Sequence, residues 1–269
     1  MWTDQRSVKE CIYLKEKYLD TIFRTAYQMP TPTWTLPQMM WLRNHEPDVL
    51  KKTKHILFVK DYVRYLVTGL AATDYIEAQG TLFYDMPNRK WAAELAELAG
   101  VNPAALPELV NPTDLLGKVT AKAAADTGIP EGTPVVCGTS DSAVEDYGAG
   151  AIEPGDCIVK LATAGNVNVM TAEAHPDRTT LTYSHVIPGM WYTVSATNAA
   201  ALCQRWFRDL FCDREKLEAQ QLGTKAFELM DQQAALSPAG ANGMFFHIPV
   251  NGICKIFLPI KPKPDKRLA

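Results

Sequence analysis

Apolar residues recur at helical intervals through the first half of the chain. Val8, Cys11, Ile12, Leu14, Tyr18 and Leu19 fall mostly at helical spacing between Ser7 and Asp20, which predicts an amphipathic helix. A Pro/Thr-rich stretch, Met29 to Thr35, predicts an irregular loop. Leu36 to Asn44 predicts a second helix with Pro37 in its first turn, where a missing N–H matters little. After the short apolar run Ile56 to Val59, Lys60 to Thr68 predicts a helix that Gly69 stops, with Asp61 in the first turn where the dipole favours an acid. Trp91 to Ala99 predicts another, capped by Gly100. Trp41, Trp91 and Trp206 lie at helical spacing among aliphatic residues and are expected in the core.

The pattern changes in the second half. Thr133 to Cys137 is a short apolar run of the kind a sheet buries on both faces, and it breaks into Gly138-Thr139-Ser140-Asp141 before a small-residue helix to Tyr147. Cys157 to Leu161 predicts a strand, and the turn Ala162-Thr163-Ala164-Gly165 leads into alternating Asn166 to Met170. Thr180–Ile187 and Trp191–Ser195 predict a strand pair around Pro188-Gly189, followed by a helix from Asn198 to Phe211. Strands and helices joined by short turns indicate layered α/β or α+β structure, with a boundary near Gly148–Gly155 where Gly and Pro cluster. The last residues carry Pro259, Pro262 and Pro264 among lysines, which predicts a solvated, frayed tail.

Composition narrows the function classes. The 269 residues are 47% hydrophobic and 21% charged, which is ordinary globular usage, and 27 Lys+Arg against 30 Asp+Glu leave a net charge of −3. No general affinity for nucleic acid or anionic membrane is expected. MWTDQRSVKE has no apolar core of a signal peptide, and no run is long enough to span a membrane. The six cysteines form no CxxC pair and the five histidines no HExxH, so reduced, mostly buried thiols in a cytoplasmic protein are expected, with no metal site.

Two places are candidates for chemistry. Asp141 follows a strand directly, where open α/β sheets place ligands, and a carboxylate there can accept a proton from a substrate hydroxyl. The same residue can equally serve as the N-cap of the helix it precedes. In the turn Ala162 to Gly165, small residues let backbone N–H groups approach a phosphate, and the Thr163 hydroxyl adds a bond; small residues are also what any tight turn needs. The chain has no GxxxxGK[ST], GxGxxG or GxSxG, which argues against a Walker-type site, a dinucleotide fold and a hydrolase elbow.

Taken together, several segments resemble the FGGY carbohydrate kinases, and within them the xylulokinase-like branch. Trp2-Thr3-Asp4-Gln5-Arg6 resembles that family's W-x-D-x-R segment, and Thr33–His45 (TWTLPQMMWLRNH) its first signature. Lys60-Asp61-Tyr62 with Thr68-Gly69, then Asp74 to Thr81 and Arg89-Lys90-Trp91, follow in the family's order. Gly138–Asp141 resembles the catalytic turn, and Leu161–Gly165 (LATAG) the L-x-G-T-S-G phosphate turn. Gln38 stands where the signature has lysine, Thr33 is not among the usual residues at its position, and Ala162 and Ala164 replace Gly and Ser.

The resemblance implies an α/β fold, a partial actin-like (ribonuclease H-like) sugar kinase with two incomplete domains. Residues 1–149 correspond to the latter part of the N-terminal, sugar-binding domain, 150–250 to the first part of the nucleotide domain, and 251–269 to a divergent tail. It implies ATP with Mg²⁺ as phosphoryl donor and a sugar or polyol as acceptor. Asp141 is then the base, Thr33 and Ser142 contact the sugar, and Ala162, Thr163 and Gly165 meet the ATP phosphates. Neither the family's opening D-x-G-T turn nor its second signature and adenine-binding region has a counterpart here. The expectation is therefore a kinase truncated at both ends, with very low or no activity and a tendency to aggregate. The alternative is a non-catalytic remnant that binds sugar or a partner. A homodimer is the assembly kept open.

Overall fold

The computed structural model describes residues 4–197, 200–247 and 255–257. Trp2 and Thr3 of the first motif and most of the basic tail lie outside them. The chain divides into two compact units, Met1–Ile158 with Asn168–Ser195, and Val159–Val167 with Ala196–Ala269.

The first unit opens with five helices, α1 (Val8–Lys17), α2 (Leu19–Ala26), α3 (Thr35–His45), α4 (Pro47–Lys52) and α5 (Val59–Thr68). The single helix expected over residues 7–20 is instead two, because Tyr18 leaves helical geometry at φ −129°. The break lets Ile22 and Ala26 of α2 join Leu14 of α1 in one core with Leu36 and Met40 of α3. Pro37 sits in the first turn of α3, and Gly69 ends α5 at φ +77°, both as the pattern predicts.

Next come β1 (Ala72–Asp74), α6 (Tyr75–Gln79), β2 (Tyr84–Asp85), β3 (Lys90–Trp91), α7 (Ala93–Leu98) and β4 (Glu108–Val110). β1 and β4 pair in parallel. Trp91, expected at a helix start, pairs with Tyr84 in the β2–β3 hairpin and donates its indole N–H to the Pro107 carbonyl at 2.8 Å. The three tryptophans expected in the core are half-buried. Trp41 lies between the Arg6 guanidinium, 4.1 Å from its ring centre, and the stacked His45 ring at 4.5 Å.

β5 (Leu115–Lys118), α8 (Ala121–Thr127), β6 (Pro134–Val136) and α9 (Asp141–Gly148) follow. β6 is not buried on both faces as expected. It pairs with β5 alone among the described residues, and Val136 is 57% exposed because no layer covers it there. A four-stranded sheet then forms in the order β7 (Cys157–Leu161), β8 (Gly165–Thr171), β10 (Trp191–Thr197), β9 (Leu181–Ser184). β9 and β10 are antiparallel, with Trp191 opposite Ser184 and Val194 opposite Leu181. Cys157, expected to be buried, is exposed at the start of β7, whereas Cys11, Cys137 and Cys212 are buried.

The first unit continues past residue 149 for a physical reason. Met170, Tyr192 and Val194 of the sheet pack in one cluster with Tyr75, Ile76 and Ala143 of α6 and α9. Buried Gln28 donates to the Thr182 carbonyl at 2.7 Å, and Gln79 exchanges two hydrogen bonds with Ser184. The second unit holds α10 (Ala201–Phe211), α11 (Asp213–Leu222), α12 (Ala226–Ala234) and the antiparallel pair β11 (Phe245–His247) and β12 (Lys255–Phe257). Of the tail expected to fray, Lys255–Phe257 is thus a strand.

Candidate active site

The segment that presents Asp141 is held by a buried ionic cluster. Lys60 and Asp61 open α5, and Arg64 follows one turn later on the same face. Lys60 Nζ lies 2.6 Å from Asp61 Oδ1 and 2.8 Å from Asp74 Oδ2, and Arg64 Nη2 donates to Asp61 Oδ1 at 2.8 Å. The side chains of Asp61 and Asp74 are fully buried. Buried charges persist where partners and hydrogen bonds offset desolvation. Here Arg64 also donates to the carbonyls of Ala72 and Cys137, which ties α5 to β1 and to the end of β6.

Asp74 is the junction. Its Oδ1 caps α6 by accepting from the N–H groups of Ile76 and Glu77, each at 3.0 Å, and accepts the Thr139 hydroxyl at 2.6 Å. Gly138 takes φ +71°, a conformation that glycine adopts freely, and its N–H donates to the Pro112 carbonyl at 2.8 Å. The Gly138–Asp141 turn is therefore fixed at both Gly138 and Thr139.

Two cations and two buried carboxylates balance in this cluster, and a third carboxylate, Glu77, is surplus. Its Oε2 lies 4.0 Å from Lys60 Nζ. Burial pushes its pKa up from 4.5 to about 7; Lys60 opposes the shift, while Asp74, Asp61 and Asp141 reinforce it.

Asp141 is the first residue of α9, and Ser140, rather than Asp141, occupies the N-cap position. Its side chain is exposed, and Oδ1 accepts from the Ser142 N–H at 2.7 Å. Oδ2 has no hydrogen bond among the described residues, so one carboxylate oxygen faces solvent at the positive end of a helix. Ser142 is half-buried beside it. Thr33 lies in the loop before α3, where its hydroxyl is 2.8 Å from that of Thr31. Gln38 holds this loop by donating to the carbonyls of Pro32 and Thr33. No hydrogen bond joins Thr33 to Asp141 or Ser142 among the described residues.

The Ala162–Gly165 turn belongs to the second unit. The Ala162 N–H donates to the Ala164 carbonyl at 3.0 Å and so is spent within the turn. The carbonyls of Ala162 and Thr163 accept from Ala200, Ala201 and Leu202, which ties the turn to the start of α10. The N–H groups of Thr163 and Ala164 make no hydrogen bond among the described residues and are the donors an anion can use. Gly165 is buried, and a Cβ there would come within 2.9 Å of the Ala200 Cβ.

The profile described as "FGGY family of carbohydrate kinases, N-terminal domain" matches residues 1–148. The chain belongs to this family. It is 35% identical over 246 residues to an autoinducer-2 kinase of Yersinia enterocolitica, covering 90% of this chain and 46% of that protein. It is 31% identical over 248 residues to a xylulose kinase of Bacillus subtilis, covering 91% of this chain and 48% of the other. The crystal structure of a xylulose kinase from Rhodospirillum rubrum superimposes with a TM-score of 0.82 at 30% identity, over 91% of this chain and 49% of that one. The fold is accordingly part of the actin-like sugar kinase fold, and the chain spans about half the length of the curated relatives it matches.

The sequence points to Asp141 and Ser142 as site residues, whereas Lys60-Asp61, Asp74 to Thr81 and Thr139 stand out only as parts of family-like segments with no role attached, and Arg64 does not stand out at all. A signal existed in the two carboxylates of Thr73-Asp74-Tyr75-Ile76-Glu77, but no local pattern says that they meet Lys60 and Thr139.

Proposed function

We propose that this chain carries the acceptor half of an ATP-dependent sugar or polyol kinase, most like the xylulose kinases. Residues 1–149 are the sugar-binding part and 150–250 the start of the nucleotide part. The observation that carries the reading is the Asp141 carboxylate, open to solvent at the head of α9 on a turn pinned by Thr139 and Gly138. The acceptor hydroxyl oxygen attacks the γ-phosphorus of ATP, its proton passes to Asp141 Oδ2, and the bond from that phosphorus to ADP breaks. Such a transfer depends mainly on positioning, which a fixed turn supplies. Ser142 and Thr33 are assigned to the sugar, and Thr163 with Gly165 to the phosphates.

Mg²⁺ supplies charge neutralisation on the phosphates when bound. The described residues include no group of three His, Cys, Asp or Glu side chains able to hold it. Such an ion would be held by one or two carboxylates together with the nucleotide's phosphates and water, which requires no cluster of three protein ligands.

A second reading, a non-catalytic sugar-binding chain, is favoured by the turn itself. Ala162 is usually glycine in the family, and here its N–H is spent on Ala164. The test is ADP release with Mg-ATP across ketopentoses, aldoses and polyols, paired with calorimetric binding of the same sugars. Turnover with one sugar that Asp141→Ala abolishes supports the kinase. Sugar binding without turnover supports the second reading, and neither activity nor binding refutes both.

A further inference from the structure

Glu77 holds the weakest cation contact of the buried ionic cluster. Lys60 Nζ lies 2.6 Å from Asp61 and 2.8 Å from Asp74, but 4.0 Å from Glu77. Arg64 is engaged by Asp61 and by two backbone carbonyls. The Glu77 side chain is 20% exposed, enough to exchange a proton with water while its charge stays only partly screened.

Two contacts place Glu77 beside the turn that carries Asp141. Its N–H donates to Asp74 Oδ1 at 3.0 Å, and the Thr139 hydroxyl donates to that same oxygen at 2.6 Å, two residues before Asp141. On its other side β9 is fastened to α6 by the Gln79–Ser184 bonds, at 2.7 and 3.0 Å. Those bonds seat Tyr183, the neighbour of Ser184, against the same group. Burial pushes the Tyr183 phenol up, and the charges of Glu77 and Asp141 add to the rise, so it stays neutral beside them. Other charges around α6 are Asp85 and Glu108 of the strands β2 and β4 packed on it, and Arg89, which lies over the Tyr75 ring at 4.7 Å.

We propose that Glu77 is a positioning residue for Asp141: once ionised, it strengthens the Asp141 carboxylate as a base by charge repulsion, and so sets the pH range over which the acceptor hydroxyl is activated. The inference rests on the reading of Asp141 as the base. Burial raises the Glu77 pKa most, Lys60 opposes the rise, and Asp74, Asp61 and Asp141 add to it, so the two acids are within electrostatic reach. Such coupling is reciprocal. Whatever the Asp141 charge does to the proton affinity of Glu77, the Glu77 charge does to that of Asp141. Glu77 loses its proton at about 7, so the base is weaker below neutrality and stronger above it.

The test is a carboxyl carbon NMR titration of the full chain as the parent, Glu77→Gln and Asp141→Asn. The parent is expected to show Glu77 titrating at about 7, with a step in the Asp141 signal at the same pH. Asp141→Asn is expected to lower the Glu77 midpoint by about half a pH unit, and Glu77→Gln to erase the Asp141 step. In ADP release with a sugar that turns over, kcat is expected to rise about threefold through neutrality, to be level there in Glu77→Gln and to rise again in Glu77→Asp. A merely structural Glu77 would instead change kcat equally at every pH. Urea midpoints no lower than the parent's guard against unfolding. The inference is overturned if the Glu77 midpoint is the same in Asp141→Asn, or if either step survives in Glu77→Gln. Coupling seen by NMR without turnover of any sugar upholds it and counts against the kinase reading instead.

Discussion

The Thr139 hydroxyl meets Asp74 Oδ1 at 2.6 Å across 65 positions of sequence. One end of that bond is the residue that caps α6, and the other stands two residues before Asp141. Removing the hydroxyl leaves a fully buried carboxylate oxygen short of one donor while changing little volume. Thr139→Val is expected to destabilise the protein by about 1–3 kcal/mol and to speed amide exchange over residues 138–142, and Thr139→Ser to restore both. Exchange at those residues equal to that of the parent would show that the bond does not hold the turn.

Glu77 makes stability depend on pH in a definite direction. In the unfolded chain it loses its proton near its ordinary 4.5, and in the folded protein near 7. Between those values the folded state keeps a proton that the unfolded state has released, so this group's contribution falls as pH rises from 4.5 to about 7 and is level above. Glu77→Gln is expected to remove that slope and to stabilise the protein by about 1–3 kcal/mol above neutrality. Urea midpoints on either side of the window measure it, and parallel curves for the two proteins would refute the assignment.

Arg64 and Asp61 form a pair whose members are each nearly or fully buried. Arg64→Leu leaves buried Asp61 with Lys60 as its remaining cation and removes the bonds to the Ala72 and Cys137 carbonyls. It is expected to cost about 3–5 kcal/mol, whereas replacing both Arg64 and Asp61 by leucine is expected to recover part of the loss. A double variant no more stable than the single one in urea would mean that the carbonyl bonds of Arg64, rather than its charge pairing, dominate.

One face of α5 presents Val59, Tyr62, Val63 and Leu66, each more than half exposed, at positions spaced one helical turn apart. A continuous apolar stripe of this kind drives association in water. The protein is expected to bind a hydrophobic dye and to elute as concentration-dependent oligomers, and Val63→Glu with Leu66→Lys to reduce both. A monodisperse parent on light scattering would contradict this.

What the sequence reveals follows how locally each feature is encoded. Pro37 and Gly69 act within one turn of helix, so α3 and α5 fall where the pattern puts them. The β9–β10 hairpin is likewise set by its own alternation and by the Pro188-Gly189 turn. β1 and β4 escape notice because each is three residues long and their parallel pairing joins distant segments. The Thr133–Cys137 run misleads because apolar composition implies a covering layer, whereas Val136 has none among the described residues. At the site, Asp141 is visible from its place after a strand, but its support is not. Lys60, Asp74 and Thr139 meet only when α5, α6 and the turn are assembled.

The Gln28–Thr182 bond also sets a schedule for folding. Residues 154 positions apart must meet before the Nε2 group of Gln28, wholly out of water, finds its acceptor. During synthesis the helical segment therefore waits, with its second core cluster open on the side of Tyr75 and Ala143, until Tyr192 and Val194 have left the ribosome. A nascent chain stalled at residue 150 is expected to be protease-sensitive and to recruit chaperones, and one stalled well past residue 195 to be resistant. The vulnerable interval in the life of this protein is thus the time the ribosome takes to cover that last stretch.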